Sequence, residues 1–251
     1  MQGILAGKVA LVTGGGRGIG AAISRALARI GARVIVCGRR KSDLDAIAKE
    51  IDGTAIECDV ADRAATDRML GAVGPVAVLV NNAGIAESAS LDRTTDEIWD
   101  RIIEVDVTAP FRLTRALVPG MIKAGWGRVV NIASNAGVTG YGYSSAYCAA
   151  KHAMVGFTRA LAIDLARTNV TINALCPGWV ETNMVEEAVT RIAAKTGRSA
   201  EEARTSLAAM SPQRRMISPE EVAHAAVMLC AHEARGIHGQ TLVIDGGAVL
   251  K

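Results

Sequence analysis

The segment Thr13-Gly14-Gly15-Gly16-Arg17-Gly18-Ile19-Gly20 joins a short β-branched run to a stretch of helical period. In that stretch, residues 18–31, the apolar side chains recur on one stripe and a glycine follows them. Glycines at such a junction let the backbone turn sharply and approach a pyrophosphate, and the helix N-terminus adds positive potential. A purely structural turn is the alternative interpretation. The segment predicts a strand–turn–helix unit near the start of the chain, with a phosphate-bearing ligand at the turn.

Short β-branched runs alternate with helical segments along the chain, and most of the runs are apolar throughout. This pattern is typical of strands buried on both faces of a parallel sheet. It predicts an α/β fold over residues 1–251: a single-domain, doubly wound (Rossmann) sheet of seven parallel strands with helices on both faces. Ligands of such sheets bind beyond the carboxyl ends of the strands. The predicted strands are Lys8–Thr13, Arg33–Cys37, Ala55–Asp59, Val76–Asn81, Arg128–Ala133, Val170–Leu175 and Gln240–Asp245.

The composition argues against several classes of protein. Half of the residues are hydrophobic, 21% are charged and the net charge is +3, which excludes a disordered chain. The sequence has no basic stripe that would suggest a nucleic-acid partner and no apolar run as long as a membrane span. Its first residues do not resemble a signal peptide. The five cysteines form no CxxC pair and the four histidines show no metal spacing. We therefore expect a cytoplasmic protein with buried reduced thiols and no metal site.

Two longer segments interrupt the alternation. Thr94–Ala124 is predicted to be helical, with Thr94 and Glu97 as a capping box at its start. Thr182–Ser218 is polar and helix-prone, and its position at the ligand edge predicts a substrate lid at about 182–218, with a surface excursion as the alternative. Its basic residues suit the phosphates of an acyl carrier or CoA, or simply form solvated helix faces.

The end of the second strand indicates which dinucleotide binds. An acidic residue there would bind the ribose 2′-hydroxyl of NAD, but this chain has Arg39 and Arg40. Together with Arg17, these guanidinium groups suit a 2′-phosphate, so NADP(H) is the predicted cofactor. Solvated arginines that open a helix are the alternative. Asp59, after the third strand, is placed either to accept from the adenine amino group or to cap the following helix.

Tyr147 and Lys151 are predicted to share one face at the start of a helix, because residues four apart do so. A tyrosine has an ordinary pKa of about 10, and a neighbouring ammonium lowers that pKa by favouring the phenolate. Ser134 ends the fifth strand at the same edge of the sheet. Taken alone it reads as a helix cap, but beside the Tyr/Lys pair it indicates a reaction site.

Two further loops follow strands at this edge. The small residues of Asn81–Gly84 allow a ligand close to the backbone, and their amides can tie neighbouring loops together. Pro177 and Gly178 shape the turn after the sixth strand, from which Thr182 is placed to reach a cofactor amide. Trp179 is either core filler or a wall of the substrate site.

Taken together, these motifs resemble the short-chain dehydrogenase/reductase family from Lys8 to Gly247, nearest to 3-oxoacyl reductases and polyketide ketoreductases. The resemblance implies that Tyr147 is the general acid/base and that Ser134 holds the substrate carbonyl. It also implies that Lys151 binds the nicotinamide ribose and lowers the tyrosine pKa. Family members usually form homotetramers, with the long helices of the Thr94 and Tyr147 regions at the interfaces.

One position departs from the family pattern. Asp106 stands where the family often has an asparagine that helps to hold a water in the proton relay. An ionised aspartate accepts hydrogen bonds but cannot donate them, and it brings negative charge toward Lys151. We expect Asp106 to lie one or two waters from Lys151. The alternative is a side chain that points to solvent or caps a helix kink.

The resemblance implies an NADP(H)-dependent carbonyl reductase or alcohol dehydrogenase that interconverts a ketone and a secondary alcohol. Its substrate would be a small carbonyl compound, with a thioester as one form. An NAD(H)-dependent hydroxyacyl or alcohol dehydrogenase, a non-catalytic dinucleotide-binding redox sensor and a lyase-like relative are the alternatives. The expected catalytic residues are Ser134, Tyr147, Lys151 and Asp106. The expected cofactor-binding residues are Gly14, Gly16, Arg17, Gly18, Ile19, Gly20, Arg39, Arg40, Asp59, Val60, Asn82, Ala83, Gly84, Tyr147, Lys151, Pro177, Gly178, Val180 and Thr182. The expected substrate-binding residues are Ser134, Asn135, Tyr141, Tyr147, Trp179 and Met184.

Overall fold

Seven parallel strands form one sheet in the computed structural model, which describes residues 3–249. The strand order is β3-β2-β1-β4-β5-β6-β7. Strands β1 to β3 extend toward one edge of the sheet and β4 to β7 toward the other, so the strand order reverses between β1 and β4. The predicted doubly wound α/β architecture is confirmed. The strands are β1 Val9–Thr13, β2 Arg33–Gly38, β3 Thr54–Glu57, β4 Val78–Asn81, β5 Gly127–Ile132, β6 Val170–Pro177 and β7 Thr241–Ile244.

Helices cover both faces of the sheet, and two apolar clusters form the core. Alternate residues of β1 point to opposite faces: Val9 and Leu11 join one cluster, while Ala10 and Val12 join the other. The first cluster includes residues of α3, α5 and α6, and the second includes residues of α1, α2 and α9. The helices are α1 Gly18–Arg29, α2 Lys41–Glu50, α3 Arg63–Val73, α4 Asp96–Ile103, α5 Ala109–Lys123, α6 Ser145–Leu165, α7 Asn183–Thr196, α8 Ala200–Ala208 and α9 Pro219–Cys230.

The predicted strands are all present, but several of their ends were misplaced. β3 stops at Glu57 because the chain turns at Asp59, whose Oδ1 accepts from the Ala61 N–H at 3.0 Å. β6 continues to Pro177, since β7 pairs with it that far and Pro177 lies opposite Ile244. Strand ends therefore depend on the pairing partner, which the local pattern does not contain.

The helical segment predicted over Thr94–Ala124 is interrupted. A π-helical turn, Glu104–Thr108, separates α4 from α5. The predicted capping box at Thr94 was wrong by one residue: Thr95 is the N-cap, and its hydroxyl accepts from the Ile98 N–H at 3.4 Å. Thr94 instead donates its hydroxyl to the Ser90 carbonyl at 3.0 Å and so belongs to the preceding turn.

The start of α1 packs against the end of β1 and the loop after β4. A Cβ atom on Gly20 would lie 2.2 Å from the Gly14 carbonyl oxygen and 2.5 Å from Asn82 Nδ2. The Asn82 amide in turn donates to the carbonyls of Thr13 and Gly14, at 2.8 and 3.2 Å. Only a glycine at position 20 permits this close packing.

We predict that Gly20→Ala destabilises the protein by about 1–3 kcal/mol, the usual cost of overpacking against atoms that cannot move freely. The matched control is Gly71→Ala, also within a helix, where an added Cβ meets no atom within 4 Å. That change should stabilise the protein by about 0.5–1 kcal/mol, because alanine has less backbone entropy to lose. Urea unfolding midpoints measure both effects. Equal stability of Gly20→Ala and the unmodified chain would contradict the packing argument.

Candidate active site

The carboxyl edge of the sheet gathers the loops that the sequence singled out. The Thr13 hydroxyl, at the end of β1, accepts from the N–H groups of Asn82 and Ala83, each at 2.9 Å. These bonds join the glycine segment to the loop after β4 at the point where the strand order reverses. Dinucleotides bind at such a reversal in sheets of this kind.

The glycine segment 14–20, in which only Arg17 and Ile19 carry side chains, is called the glycine cradle below. Gly14 and Gly18 have positive φ angles of 62° and 53°, a backbone conformation that favours glycine. A Cβ on Gly15 would lie 2.7 Å from Val36 Cγ1, so the segment also packs closely on β2. Arg17 is the N-cap of α1 but supplies no side-chain cap, and no acidic residue occupies the first turn. The start of α1 therefore offers its N–H groups and positive potential to an anion.

The two arginines after β2 differ in their surroundings. Both side chains are exposed, but Arg40 is the N-cap residue of α2 and its guanidinium lies 3.9 Å from the Asp43 carboxylate. Arg39 forms no ion pair within residues 3–249. The alternative interpretation, arginines that simply open a helix, thus describes Arg40 in part and leaves Arg39 available for a phosphate.

Asp59 does not cap the helix that follows it. Its Oδ1 accepts from the Ala61 N–H, whereas Asp62 is the N-cap of α3 and accepts from two N–H groups of its first turn. Val60 is buried, and its carbonyl accepts from the Thr66 hydroxyl at 3.3 Å. Hydrogen bonds within the loop therefore fix its conformation. Within the described residues, the second carboxylate oxygen of Asp59 has no donor and can accept from another group.

A ladder of polar side chains fixes α6 to the sheet. Asn81 and Asn131 lie opposite each other in β4 and β5, and the Asn81 amide donates to Asn131 Oδ1 at 2.8 Å. The Asn131 amide donates in turn to the Thr158 hydroxyl on α6 at 2.8 Å. All three side chains are buried, so each bond is shielded from water. This ladder positions the helix that carries Tyr147.

Ser134, Tyr147 and Lys151 converge at the carboxyl ends of β5 and β6. Ser134 Oγ accepts from the Ala136 N–H at 3.1 Å and so caps a single 3₁₀ turn, in agreement with the helix-cap interpretation. The Ser134 hydroxyl also lowers the pKa of the Tyr147 phenol, and its part in a reaction site stays a prediction. Lys151 Nζ lies 5.5 Å from the centre of the Tyr147 ring and donates to the Ile132 carbonyl at 3.2 Å.

Asp106 contacts Lys151 directly, where the sequence predicted one or two intervening waters. Its Oδ2 lies 3.0 Å from Lys151 Nζ, and its Oδ1 accepts from the Ile85 N–H at 2.8 Å. The alternative of a solvent-facing side chain was also wrong, because Asp106 is 1% exposed. The π-helical turn Glu104–Thr108 brings the residue to this position.

The Tyr147 side chain is half-buried, and protein atoms surround most of its phenol group. Burial raises the pKa of its phenol above the ordinary value, and Asp106 adds to the rise. The Lys151 ammonium and the Ser134 hydroxyl lower the phenol pKa, but by less than burial raises it. The sequence predicted the sign of the lysine effect but not the net direction. The phenolate loses more stabilisation by leaving water than the ammonium restores.

A narrow cleft begins at Asn135, the residue after Ser134, although Ser134, Tyr147 and Lys151 do not line it. Asn135 and Tyr141 both line it. Trp179 lines it as well while packing on the apolar cluster of α7 and α8, and its contact with a substrate stays a prediction. Met184 is 40% exposed and does not line this cleft.

The sequence did not predict that the C-terminal segment reaches the cleft. Asp245 and Ala248 line it, and the Asp245 carboxylate accepts from the Asn135 amide at 3.2 Å. Asp245 also accepts from the N–H groups of residues 247–249. The pairing of β7 with β6 brings these residues to the cleft, and no local sequence signal marks them.

The loop after β6 packs across the glycine segment. Gly178 adjoins the C-terminal segment, since a Cβ there would lie 2.7 Å from Asp245 Cβ. Val180 is buried and forms a parallel bridge with Ile217. The Thr182 methyl group lies 3.0 Å from the position of a Cβ on Gly18. Thr182 thus stands over the start of α1, although its hydroxyl donates to the Val180 carbonyl and does not cap α7.

The basic side chains of 182–218 are partly neutralised. Arg204 pairs with Glu186, and Arg215 forms two bonds of 2.7 Å with Glu221. Arg198 donates to the Ser206 hydroxyl at 3.3 Å. These contacts favour the interpretation of solvated helix faces over a phosphate-binding surface.

Comparison with known proteins gives concordant matches. The family model described as short chain dehydrogenase matches residues 8–193. D-beta-hydroxybutyrate dehydrogenase of Cupriavidus necator is 40% identical, over 98% of this chain and 99% of that protein. The 3-oxoacyl-acyl-carrier-protein reductase FabG of Escherichia coli K12 is 36% identical, over 96% and 97%. A crystal structure of a variant actinorhodin polyketide ketoreductase with NADPH superimposes with a TM-score of 0.93 at 38% identity, covering 99% of each chain.

The cysteines provide a test of the packing at this site. Four are buried, and burial raises the pKa of the Cys176 thiol to about 11 and that of Cys230 to about 12. Cys148 departs from the expectation, because it lies beside Tyr147 and is partly exposed. We predict that a thiol-specific reagent labels one cysteine per native chain and all of them after unfolding. Cys148→Ser should abolish the native labelling, and fast labelling that survives this change would contradict the structure.

Proposed function

The chain belongs to the short-chain dehydrogenase family, and from this premise we propose that it is an NADP(H)-dependent oxidoreductase that interconverts a ketone and a secondary alcohol. The observation that carries the proposal is the convergence of Ser134, Tyr147 and Lys151 beside the glycine cradle. A serine or tyrosine alone has many structural uses. A phenol with an ammonium on one side and a hydroxyl on the other is suited to moving a proton at a substrate oxygen.

The residues at the edge of the sheet fit a dinucleotide. The glycine cradle and the start of α1 would hold the pyrophosphate, because the helix N-terminus offers N–H groups without a side-chain cap and no acidic residue occupies its first turn. Arg17 and Arg39 would neutralise a 2′-phosphate. The similarity to a ketoreductase solved with NADPH supports this choice. The remaining proposed cofactor contacts are Gly16, Gly18, Ile19, Arg40, Asp59, Val60, Asn82, Ala83, Gly84, Tyr147, Lys151, Pro177, Gly178, Val180 and Thr182.

When bound there, the nicotinamide supplies or accepts a hydride. The chain's own residues handle the proton. Ser134 Oγ and Tyr147 Oη would both donate to the carbonyl oxygen of the substrate, and Tyr147 would transfer its proton to that oxygen as the alcohol forms. In the oxidising direction Tyr147 would accept the proton instead. Lys151 would stabilise the phenolate and bind the ribose.

We propose the segment 182–218 as a lid over the substrate. It contributes Leu207, Met210 and Ser211 to the cleft that Asn135 and Tyr141 line from the other side. The cleft in this structure has room for little more than a water molecule, so the lid would have to open to admit a small carbonyl compound, with a thioester as one form. Met184 remains a proposed contact only if the lid moves, because it does not line the cleft in this structure.

One alternative has a specific observation behind it. The similarity to D-beta-hydroxybutyrate dehydrogenase favours a hydroxy-acid dehydrogenase, which would use the same three residues in the oxidising direction. A panel of ketones, β-keto esters and acyl thioesters, assayed by the loss of NADPH absorbance, would separate the candidates. Activity with none of them, together with oxidation of 3-hydroxybutyrate by NAD, would favour the alternative.

We also propose a homotetramer and a cytoplasmic location. Exposed apolar side chains on α4, α5 and α6 support an interface between copies: Trp99 is 42% exposed, Phe111 41% and Ile163 78%. No helix within residues 3–249 is long and apolar enough to span a membrane.

We predict that Tyr147→Phe lowers kcat for ketone reduction by about 10²–10⁴-fold, the usual contribution of general acid catalysis. The ring remains, so NADPH binding measured by fluorescence should change little. Tyr143→Phe is the matched control, because Tyr143 is 73% exposed and should keep full activity. Turnover in Tyr147→Phe equal to that of the unmodified protein would remove the phenol from the mechanism.

We predict that the unmodified protein prefers NADPH to NADH by at least about tenfold in kcat/KM, or about 1.4 kcal/mol. Gly38→Asp combined with Arg39→Leu should reverse the preference, because a carboxylate would then meet the ribose hydroxyls and the guanidinium would be gone. Arg33→Leu, an exposed arginine at the other end of β2, is the control and should leave the preference unchanged. Equal use of both cofactors by the unmodified protein would overturn the assignment.

A further inference from the structure

The pair Asp106–Lys151 differs from the other ion pairs of residues 3–249 in its burial. Its side chains are 0% and 6% exposed, whereas the next most buried pair, Arg112–Glu104, is 26% and 33% exposed. Surface pairs contribute little to stability, but a buried carboxylate is costly unless it is paired. The side chain of Asp106 is therefore expected to act strongly on whatever it contacts.

The position of Asp106 is fixed from several sides. Oδ1 accepts from the Ile85 N–H at 2.8 Å, whereas Oδ2 lies 3.0 Å from the Lys151 ammonium and has no hydrogen-bond partner among the described residues. A Cβ on Gly84 would lie 3.2 Å from Oδ2 and 3.4 Å from Nζ, so the loop after β4 covers the pair. The Asp106 carboxylate therefore cannot rotate away from the Lys151 ammonium, and a water molecule cannot easily take its place.

We propose that Asp106 is a positioning residue that holds Lys151 as a permanent cation and, by opposing its field, favours the protonated form of the Tyr147 phenol, so that the site is set for proton donation. This inference rests on the proposed function. It departs from a relay in which the lysine passes its proton onward, because a neutral Lys151 would leave the buried Asp106 carboxylate without a counter-charge.

The charged and titratable groups around the pair are consistent with this role. Three groups among residues 3–249 face the Lys151 ammonium. They are the Asp106 carboxylate on the π-helical turn, the Tyr147 phenol on the same helix as Lys151, and the Cys176 thiol on β6. Burial alone would lower the pKa of the Lys151 ammonium, but Asp106 and then Tyr147 reverse the effect and raise it. The carboxyl pKa of Asp106 is raised by burial, and Lys151 and the Ile85 N–H oppose that rise.

The sign of the effect on Tyr147 follows from the charges. The ammonium favours the phenolate and the carboxylate disfavours it, so an ion pair near the ring does less to lower the phenol pKa than a lone ammonium. The other polar neighbours of the phenol, Ser134 and Cys148, are uncharged when protonated. Removing the charge of Asp106 while keeping its shape should therefore make Tyr147 more acidic.

The test is a tyrosine titration of the protein without cofactor or substrate, followed by ultraviolet difference absorption. Tyr147→Phe, alone and combined with each variant, identifies the Tyr147 signal. Asp106→Asn should move that signal to lower pH by about one unit, the scale of one nearby charge. Asp100→Asn, an exposed aspartate on α4, removes the same charge without contacting Lys151 and should leave the signal in place. Superimposable titrations of Asp106→Asn and the unmodified protein, or a shift to higher pH, would overturn the proposal.

The enzymatic counterpart is kcat/KM for alcohol oxidation as a function of pH. Oxidation needs the phenolate, so the limb that rises with pH should move to lower pH in Asp106→Asn by the same amount as the titration. An unshifted limb together with a shifted titration would show that Tyr147 is not the base in oxidation, which would contradict the proposed function but leave Asp106 in its role. Absence of any carbonyl reductase activity in the unmodified protein would instead refute the proposed function, and the titration would still report on Asp106.

A second comparison removes the dependence on one variant. If Asp106→Asn does not fold because Lys151 is left unpaired, Lys151→Met is compared with the double variant Asp106→Asn, Lys151→Met. Without the ammonium, the remaining Asp106 carboxylate should hold the phenol pKa higher in the single variant than in the double variant. Equal phenol titrations in these two proteins would contradict the proposal.

Discussion

The close approach of α1 to the end of β1 is the constraint on which the ligand edge depends. With no side chain at Gly20, the Gly14 carbonyl and the Asn82 amide lie against the first turn of the helix. The same contact aims the free N–H groups of the helix at the edge of the sheet and binds the loop after β4 to the glycine segment. One missing Cβ thus couples the packing of the fold to the electrostatics of the site.

The interior of the sheet transmits this order to the residues that would carry the chemistry. Asn81, Asn131 and Thr158 form a buried polar chain from β4 through β5 to α6. Apolar side chains at these positions would pack α6 against the sheet without specifying its rotation or its height along the strands. Hydrogen bonds have narrow geometry, and the register they impose places Tyr147 beside Ser134 at the carboxyl edge.

Electrostatics at the site reflects a balance between burial and two opposite charges. Burial of Tyr147 favours the neutral phenol, Lys151 favours the phenolate, and Asp106 opposes the lysine. Because Asp106 also raises the pKa of Lys151, the same carboxylate secures the cation and weakens its effect on the ring. The π-helical turn makes this arrangement possible by bringing a residue between α4 and α5 to within 3.0 Å of α6.

The sequence by itself determined the architecture and most of the residues that lie at the carboxyl edge of the sheet. Strands that are apolar throughout need cover on both faces, so a parallel sheet follows, and the spacing of Tyr147 and Lys151 places them on one face because helical geometry is local. Only the tertiary structure decided the direct contact of Asp106 with Lys151, the net direction of the Tyr147 pKa and the part of Asp245 in the cleft. Each of these depends on distance and burial between segments far apart in the chain, and periodicity along a single segment carries no information about either.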